Sequence, residues 1–168
     1  DGEYNDYFGK SIAIYDNWLA VSSIYDNENG YKSGSVYVFH YDGAAWIEHS
    51  KSFVEKIIKK NILNKNSKIC EVGSNDGYLL QFFKKKGYEV LGIEPASNVA
   101  DAAIKKKIST VKFFFGHKTA KKIKKIYGSQ DLIICNNVYA HVPDILDFTK
   151  GLKELISKKG IITIEFPH

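Results

Sequence analysis

Residues 69–78 read Ile69-Cys70-Glu71-Val72-Gly73-Ser74-Asn75-Asp76-Gly77-Tyr78, and residues 88–95 read Tyr88-Glu89-Val90-Leu91-Gly92-Ile93-Glu94-Pro95. Lys68 to Val72 is a short apolar run that ends at a glycine, the form of a parallel strand covered on both faces. Asp76 to Lys86 then gathers Leu79, Leu80, Phe82 and Phe83 on one side, closes on Lys84-Lys85-Lys86, and stops at Gly87, which predicts a helix. Tyr88 to Ile93 predicts a second strand. The stretch is therefore a β–turn–α–β unit, with glycines in the turn and an acid, Glu94, where the second strand ends. Gly73 and Gly77 would let a ligand approach the backbone closely, and the start of the helix would offer free N–H groups. A carboxylate at the tip of the next strand can accept from both hydroxyls of a ribose. The same unit with an empty turn would serve any Rossmann-like α/β domain, and both readings stand at this point.

Working outward, the pattern repeats. Lys51 to Lys60 carries Phe53, Val54, Ile57 and Ile58 at helical spacing. Beyond Glu94, Ser97 to Lys107 predicts an alanine-rich helix, Ser109 to Phe115 a strand, and Lys118 to Tyr127 a lysine-rich helix closed by Gly128. Asp131 to Cys135 predicts the fourth strand, Ile145 to Ile156 a helix, and Ile161 to Phe166 the fifth strand. Strands alternating with helices imply an α/β fold with a doubly wound parallel sheet of about five strands.

The spacing Glu71-x-Gly73-x-Asn75-x-Gly77 resembles the first motif of the class I S-adenosylmethionine-dependent methyltransferases, with Asn75 in place of the usual middle glycine. Two later stretches extend the resemblance: Asn136-Asn137-Val138-Tyr139-Ala140-His141-Val142-Pro143-Asp144 after the fourth strand, and Glu165-Phe166-Pro167-His168 at the end of the fifth. Together these are similar to the sugar C-methyltransferase branch, from about His49 to His168. The resemblance implies S-adenosyl-L-methionine as cofactor, held by Glu71, Gly73, Asn75, Gly77, Glu94, Asn136 and Asn137; no metal is expected, because the sequence has no cysteine cluster. It also implies a small-molecule acceptor, a nucleotide-linked 4-keto-deoxysugar. In that chemistry a base removes the proton beside the keto group and the enolate takes the methyl. His141 is the candidate for substrate or base work, and a histidine that fixes its loop by hydrogen bonds is the alternative. The family's cysteine-rich zinc module, its tyrosine-bearing segment and its later Glu-His pair have no counterpart in this sequence. The expectation is therefore cofactor binding with weak or no turnover, His168 being a poor substitute base.

Residues 1–48 differ in kind. They hold eight acids and two lysines, a net of −6, whereas residues 49–168 hold eleven acids and twenty-two lysines, a net of +11. That asymmetry sets a domain boundary between 48 and 49. Ser11–Tyr15, Trp18–Ser22, Ser35–Tyr41 and Ala44–Ile47 predict four short strands, the size of one propeller blade. Phe8-Gly9-Lys10-Ser11-Ile12-Ala13-Ile14 and Gly34-Ser35-Val36-Tyr37-Val38-Phe39 resemble the FG-GAP repeat of integrin-type propellers, over residues 6–46. A lone blade lacks the neighbours on which its faces pack. The junction Trp46-Ile47-Glu48-His49-Ser50 suits either parent sequence, which makes the chain a fusion. A non-enzymatic adhesion or binding module, resting on the blade, and an inactive fusion fragment are the alternative readings.

The remaining composition narrows the classes. Asp26-Asn27-Glu28-Asn29-Gly30 lacks the register of a calcium loop and reads as a solvated turn. The lysine runs 84–86, 105–107 and 121–125 come with no arginine and no interleaved aromatic platform, so nucleic acid is not the expected partner. No apolar run approaches the roughly 20 residues of a membrane span. Cys70 and Cys135 both fall in predicted buried strands and read as small core residues. With no signal-like start, this points to the cytoplasm, whereas the blade resemblance points outside the cell.

Overall fold

The computed structural model describes residues 8–15, 18–23, 35–40 and 43–165. Its contacts divide the chain into two compact units, Asp1–Trp46 and Ile47–His168. In the first unit, β1 (Phe8–Tyr15), β2 (Trp18–Ser23) and β3 (Ser35–His40) form an antiparallel sheet in the order β1-β2-β3. Trp18 pairs with Tyr15, then with His40, and the β1–β2 register shifts between Phe8 and Ile12. The predicted fourth strand, Ala44–Ile47, is not a strand. Those residues open helix α1 (Gly43–Lys59). Alanines favour helix, and Ile47, Ser50, Val54 and Ile57 recur at three- and four-residue steps, so the helical period continues back through this stretch. The predicted loop Asp26–Gly30 lies outside the described residues, as does His168.

The second unit is a five-stranded parallel sheet in the order β6-β5-β4-β7-β8: β4 (Lys68–Val72), β5 (Glu89–Ile93), β6 (Ser109–Val111), β7 (Gln130–Asn136) and β8 (Ile156–Glu165). Helices α2 (Leu80–Lys85), α3 (Ser97–Lys105), α4 (His117–Tyr127) and α5 (Ile145–Leu155) connect them. Alternate strand residues go to opposite faces. Ile69, Val90, Leu132 and Ile134 pack with Val54 and Ile57 of α1, Leu80 and Phe83 of α2 and Ala103 of α3. Cys70, Val72, Leu91, Ile93, Ile133 and Cys135 pack with Ala120 and Ile123 of α4 and Phe148, Leu152 and Leu155 of α5. Both faces are covered, which is why the strands read as continuous apolar runs. No described helix is long and apolar enough to cross a membrane.

Three predicted elements are corrected. The helix expected from Asp76 begins only at Leu80, because Gly77 takes a left-handed φ of +78° that a right-handed helix does not admit. The strand expected through Phe115 ends at Val111. Its single neighbour β5 stops at Ile93 before Pro95, which has no N–H to give, and Ile93 with Val111 is the last pair. Finally, β8 starts at Ile156, five residues early, through an irregular stretch in which Gln130 pairs with Ile156 and Leu132 with Ile161.

Gly77 is fixed twice, by its φ and by its surroundings, since a Cβ there would lie 2.3 Å from Ile108 Cδ1. Gly77→Ala is expected to lower stability by about 1–3 kcal/mol, from the left-handed backbone and the overlap together. Urea unfolding followed by circular dichroism measures it, and an unchanged midpoint contradicts this account of the turn.

Candidate functional site

The turn after β4 has three left-handed residues in five, Gly73 (φ +70°), Asn75 (φ +52°) and Gly77. Asparagine is among the few side chains that tolerate this region, which explains how Asn75 stands where a glycine is usual. The turn is pinned to the end of β5. The N–H groups of Gly73 and Ser74 both donate to the carbonyl of Ile93, at 2.8 and 3.2 Å. Glu94 completes the clamp: its Oε2 accepts from the Asn75 N–H at 3.0 Å and its Oε1 from the Ala96 N–H at 2.9 Å. Because α2 starts late, it is the amides of this turn, not a helix N-terminus, that lie next to the strand ends.

A cavity of about 570 Å³ opens at the carboxyl ends of β4, β5 and β7. Val72 and Gly73 line it from β4, Ile93 to Pro95 from β5, and Asn137, Val138 and His141 to Asp144 from the segment after β7. Asp147 and Phe148 of α5 and the aromatic triplet Phe113-Phe114-Phe115 complete the wall. Gly73 must be glycine here, because a Cβ would come within 2.4 Å of Val138 Cγ2.

Of the residues expected at the site, Gly73, Glu94, Asn137 and His141 come together around this cavity. The others stand behind it. Asn75 holds Glu94, Gly77 packs on Ile108 and Ala103, and Glu71 is 1% exposed within the sheet. Asn136 ends β7 with a buried Oδ1 that has no hydrogen-bond partner. His141 closes a 3-10 turn, Tyr139–His141, with its N–H on the Val138 carbonyl. The loop is held by other groups: the Tyr139 hydroxyl lies 2.8 Å from Thr149 Oγ1, and Tyr139 stacks edge-on to Phe148. His141 lines the cavity and is exposed, and no hydrogen bond to its ring is formed by the described residues.

Sequence reasoning missed the aromatic triplet, which it had assigned to a strand. Phe114 is 83% exposed, an unusual position for a phenylalanine. The signal available was three successive phenylalanines, since a strand would have sent them to alternate faces. It also missed Asp144 and Asp147. Asp144 caps α5 by accepting from the Asp147 N–H, and Asp147 Oδ2 accepts from the His117 N–H at the start of α4. With Glu94 they make the wall acidic, and no lysine is among the described residues that line it.

Burial dominates the titration of the interior groups. It pushes the carboxyl of Glu71 well above the usual carboxylate range, and the nearby charges of Asp76 and Glu94 push it further. Glu71 Oε2 has no hydrogen-bond partner. Burial also raises the Cys135 thiol to about 12 and the Cys70 thiol well above its ordinary value. Both cysteines are free and buried, so they remain protonated and unreactive core residues.

Comparison with known proteins gives the following. Residues 46–168 match the family described as "Methyltransferase domain", and residues 1–39 match the FG-GAP repeat. Over 127 residues the chain is 28% identical to the C-methyltransferase NovU of Streptomyces niveus, covering 76% of this chain and 30% of that protein. The chain thus spans less than a third of that relative's length. Among solved structures, a SAM dependent methyltransferase from Archaeoglobus fulgidus superposes with a TM-score of 0.57 at 18% identity, over 72% of this chain and 53% of that one. The plantazolicin methyltransferase BpumL, in complex with a monoazolic desmethylPZN analog and SAH, superposes with a TM-score of 0.56 at 15% identity, over 71% and 45%. At these identities the structural likeness is one of fold.

The state of Glu71 has a measurable consequence. Its folded pKa lies above its unfolded value, so its contribution to stability is complete below the ordinary carboxylate range and is lost as pH rises through the folded pKa. Glu71→Gln, which resembles the neutral acid, is expected to flatten the decline of stability above that range. Unfolding midpoints measured across the pH range test this, and parallel curves for the two proteins contradict a neutral Glu71.

Proposed function

We propose that this chain, which belongs to the methyltransferase-domain family over residues 46–168, binds S-adenosylmethionine in the cavity at the carboxyl ends of β4, β5 and β7. The observation that carries this reading is the cavity's place. It opens where β5 lies on one side of β4 and β7 on the other, the point of an open α/β sheet at which the chain direction of the connections reverses and a crevice forms. The pinned glycine turn and the carboxylate of Glu94 stand in its wall.

The residues fit such a ligand. A carboxylate offers about four acceptor positions. Two on Glu94 are taken by the Asn75 and Ala96 amides, which fixes its orientation and leaves two for the vicinal hydroxyls of a ribose. Gly73 allows the ligand close to the backbone, and Phe113 and Phe114 offer apolar faces for a flat base. When bound, the cofactor supplies an electrophilic methyl group on a positively charged sulfur, and the acidic wall of Glu94, Asp144 and Asp147 favours that charge.

The acceptor is read as a carbon atom of a small molecule, a nucleotide-linked 4-keto-deoxysugar, in keeping with the resemblance to C-methyltransferases. Carbon must lose a proton before it can take a methyl group, and a neighbouring keto group makes that proton acidic. His141 is assigned as the group that accepts it, being a histidine on the cavity wall whose ring is not committed to another described residue. The same acidic wall disfavours a diphosphate, so this reading seats the sugar at His141 and leaves the nucleotide outside the cavity.

Two measurements test the proposal. Calorimetry with S-adenosylmethionine and S-adenosylhomocysteine is expected to show binding of both, weakened about 10–100-fold in Glu94→Gln through loss of charge-assisted hydrogen bonds. Equal affinity in the two proteins removes Glu94 from the site. With labelled cofactor and a panel of nucleotide 4-keto-deoxysugars, methyl transfer is expected to be weak in the unaltered chain and lower still in His141→Ala, while cofactor affinity is unchanged. Transfer undiminished in that variant assigns the base to another residue.

A further inference from the structure

The buried carboxyl of Glu71 is a titratable group to which the cavity gives no direct contact. Its surroundings follow from the register of the sheet. Glu71 pairs with Gly92 of β5 and Ile134 of β7, and these pair in turn with Thr110 of β6 and Thr163 of β8. Side chains paired across parallel strands share a face, so the five residues form one row across the sheet on the side covered by α1, α2 and α3. Asn136 and Glu165, themselves a pair, stand two residues further along β7 and β8 on the same side. Gly92 has no side chain, and the hydroxyl of Ser74 fills its place: a Cβ on Gly92 would lie 2.4 Å from Ser74 Oγ.

In an otherwise apolar core this layer is polar and incompletely paired. Glu71 Oε2, Ser74 Oγ, Asn136 Oδ1 and Thr163 Oγ1 are all buried and have no hydrogen-bond partner. Oxygens grouped in this way are what buried water bridges. The layer reaches the surface at Glu165, whose carboxylate lies 3.2 Å and 3.3 Å from His49 Nε2.

The charged and titratable groups around Glu71 can be named element by element. The turn brings Asp76, which is paired with Lys106, and the end of β5 brings Glu94. Its own strand and β7 bring the protonated thiols of Cys70 and Cys135. From α1 and β8 come His49 and Glu165, which are paired with each other. Val54 and Ile57 of α1, Leu80 and Phe83 of α2 and Ala103 of α3 cover this side together with the buried Ser50 of α1, and none of them carries a charge. The neighbouring charges are thus mainly negative, and a carboxylate at Glu71 has no cation of its own.

We propose that Glu71 holds its proton while the cavity is empty and releases it when a ligand with a fixed positive charge occupies the cavity, so that sulfonium cofactor and neutral thioether product bind with different proton stoichiometry. This rests on the reading of the cavity as the S-adenosylmethionine site. The two ligands differ by one positive charge, and a positive charge nearby favours the ionised carboxyl. The O–H bond of Glu71 breaks, its electron pair stays on the carboxylate, and the proton passes along the polar layer toward Glu165 and His49 and out to solvent. Linkage is reciprocal, so the charged cofactor binds more tightly as pH rises, whereas the neutral product does not. The site therefore discriminates more strongly between substrate and product forms of the cofactor at higher pH.

The experiment is calorimetry of the full chain at neutral pH with each ligand, in two buffers of different ionisation enthalpy. S-Adenosylmethionine is expected to release up to about one proton per site and S-adenosylhomocysteine none. In Glu71→Gln the release is expected to vanish while both ligands still bind. Infrared difference spectra of the unaltered protein give a second readout: the carbonyl stretch of a protonated carboxyl is present in the empty protein and is lost on adding S-adenosylmethionine only. Binding of both ligands with no proton release, release that persists in Glu71→Gln, or no protonated carboxyl band in the empty protein overturns the proposal. Failure of both ligands to bind is a separate result, which overturns the cofactor reading and this inference with it.

Discussion

The Glu94 carboxylate, accepting one backbone N–H from Asn75 and one from Ala96, is the contact on which the site depends. It joins the turn after β4 to the chain leaving β5. Without it, among the described residues, the turn would be tied to the strand ends through the Gly73 and Ser74 amides on the Ile93 carbonyl alone. A carboxylate accepting backbone amides is a strong, directional contact because the acceptor carries charge. The same geometry leaves the other acceptor positions of Glu94 facing the cavity. One side chain therefore does two things: it builds the turn and stands in the wall that the turn creates.

Around this contact, burial decides which polar groups remain. The sheet is covered on both faces, so most of the buried positions of its strands are Ile, Val, Leu or Cys. Among the described residues, the buried side-chain oxygens without a partner collect near the carboxyl ends, on Glu71, Ser74, Asn136 and Thr163. Leaving such atoms inside costs free energy that a purely structural sheet would avoid. Polar groups retained at that cost, next to the ligand crevice of an α/β sheet, mark where the molecule is specialised. The opposite face shows the contrast. There Cys70 and Cys135 behave as small apolar residues, and their thiols stay neutral.

The two halves of the chain are legible to different degrees. The first unit has an alternating pattern that gives its three strands, and its sequence is similar to the FG-GAP repeat. Its expected fourth strand failed because Ala44-Ala45-Trp46-Ile47 is also the first turn of an amphipathic helix. A short apolar run supports either period, and the longer helical register through Val54 and Ile57 won. The charge asymmetry between residues 1–48 and 49–168 reflects composition and needs no knowledge of packing.

By itself the sequence determined the order of strands and helices in the second unit, the turn at Gly73, the acid at the tip of β5 and the covered faces of the sheet. These are local properties: apolar runs, glycine stops and helical spacing act within a dozen residues. Only the tertiary structure decided which residues meet. That Gly73, Glu94, Asn137 and His141 share one cavity, while Glu71, Asn75, Gly77 and Asn136 stand behind it, follows from strand order and register, which join residues up to seventy positions apart in the chain. It also decided that Phe113–Phe115 leave the sheet. Beyond Val111 the edge strand β6 has no partner left to pair with, because β5 ends before Pro95, so the phenylalanines turn out and become wall. No window of sequence around them contains that constraint.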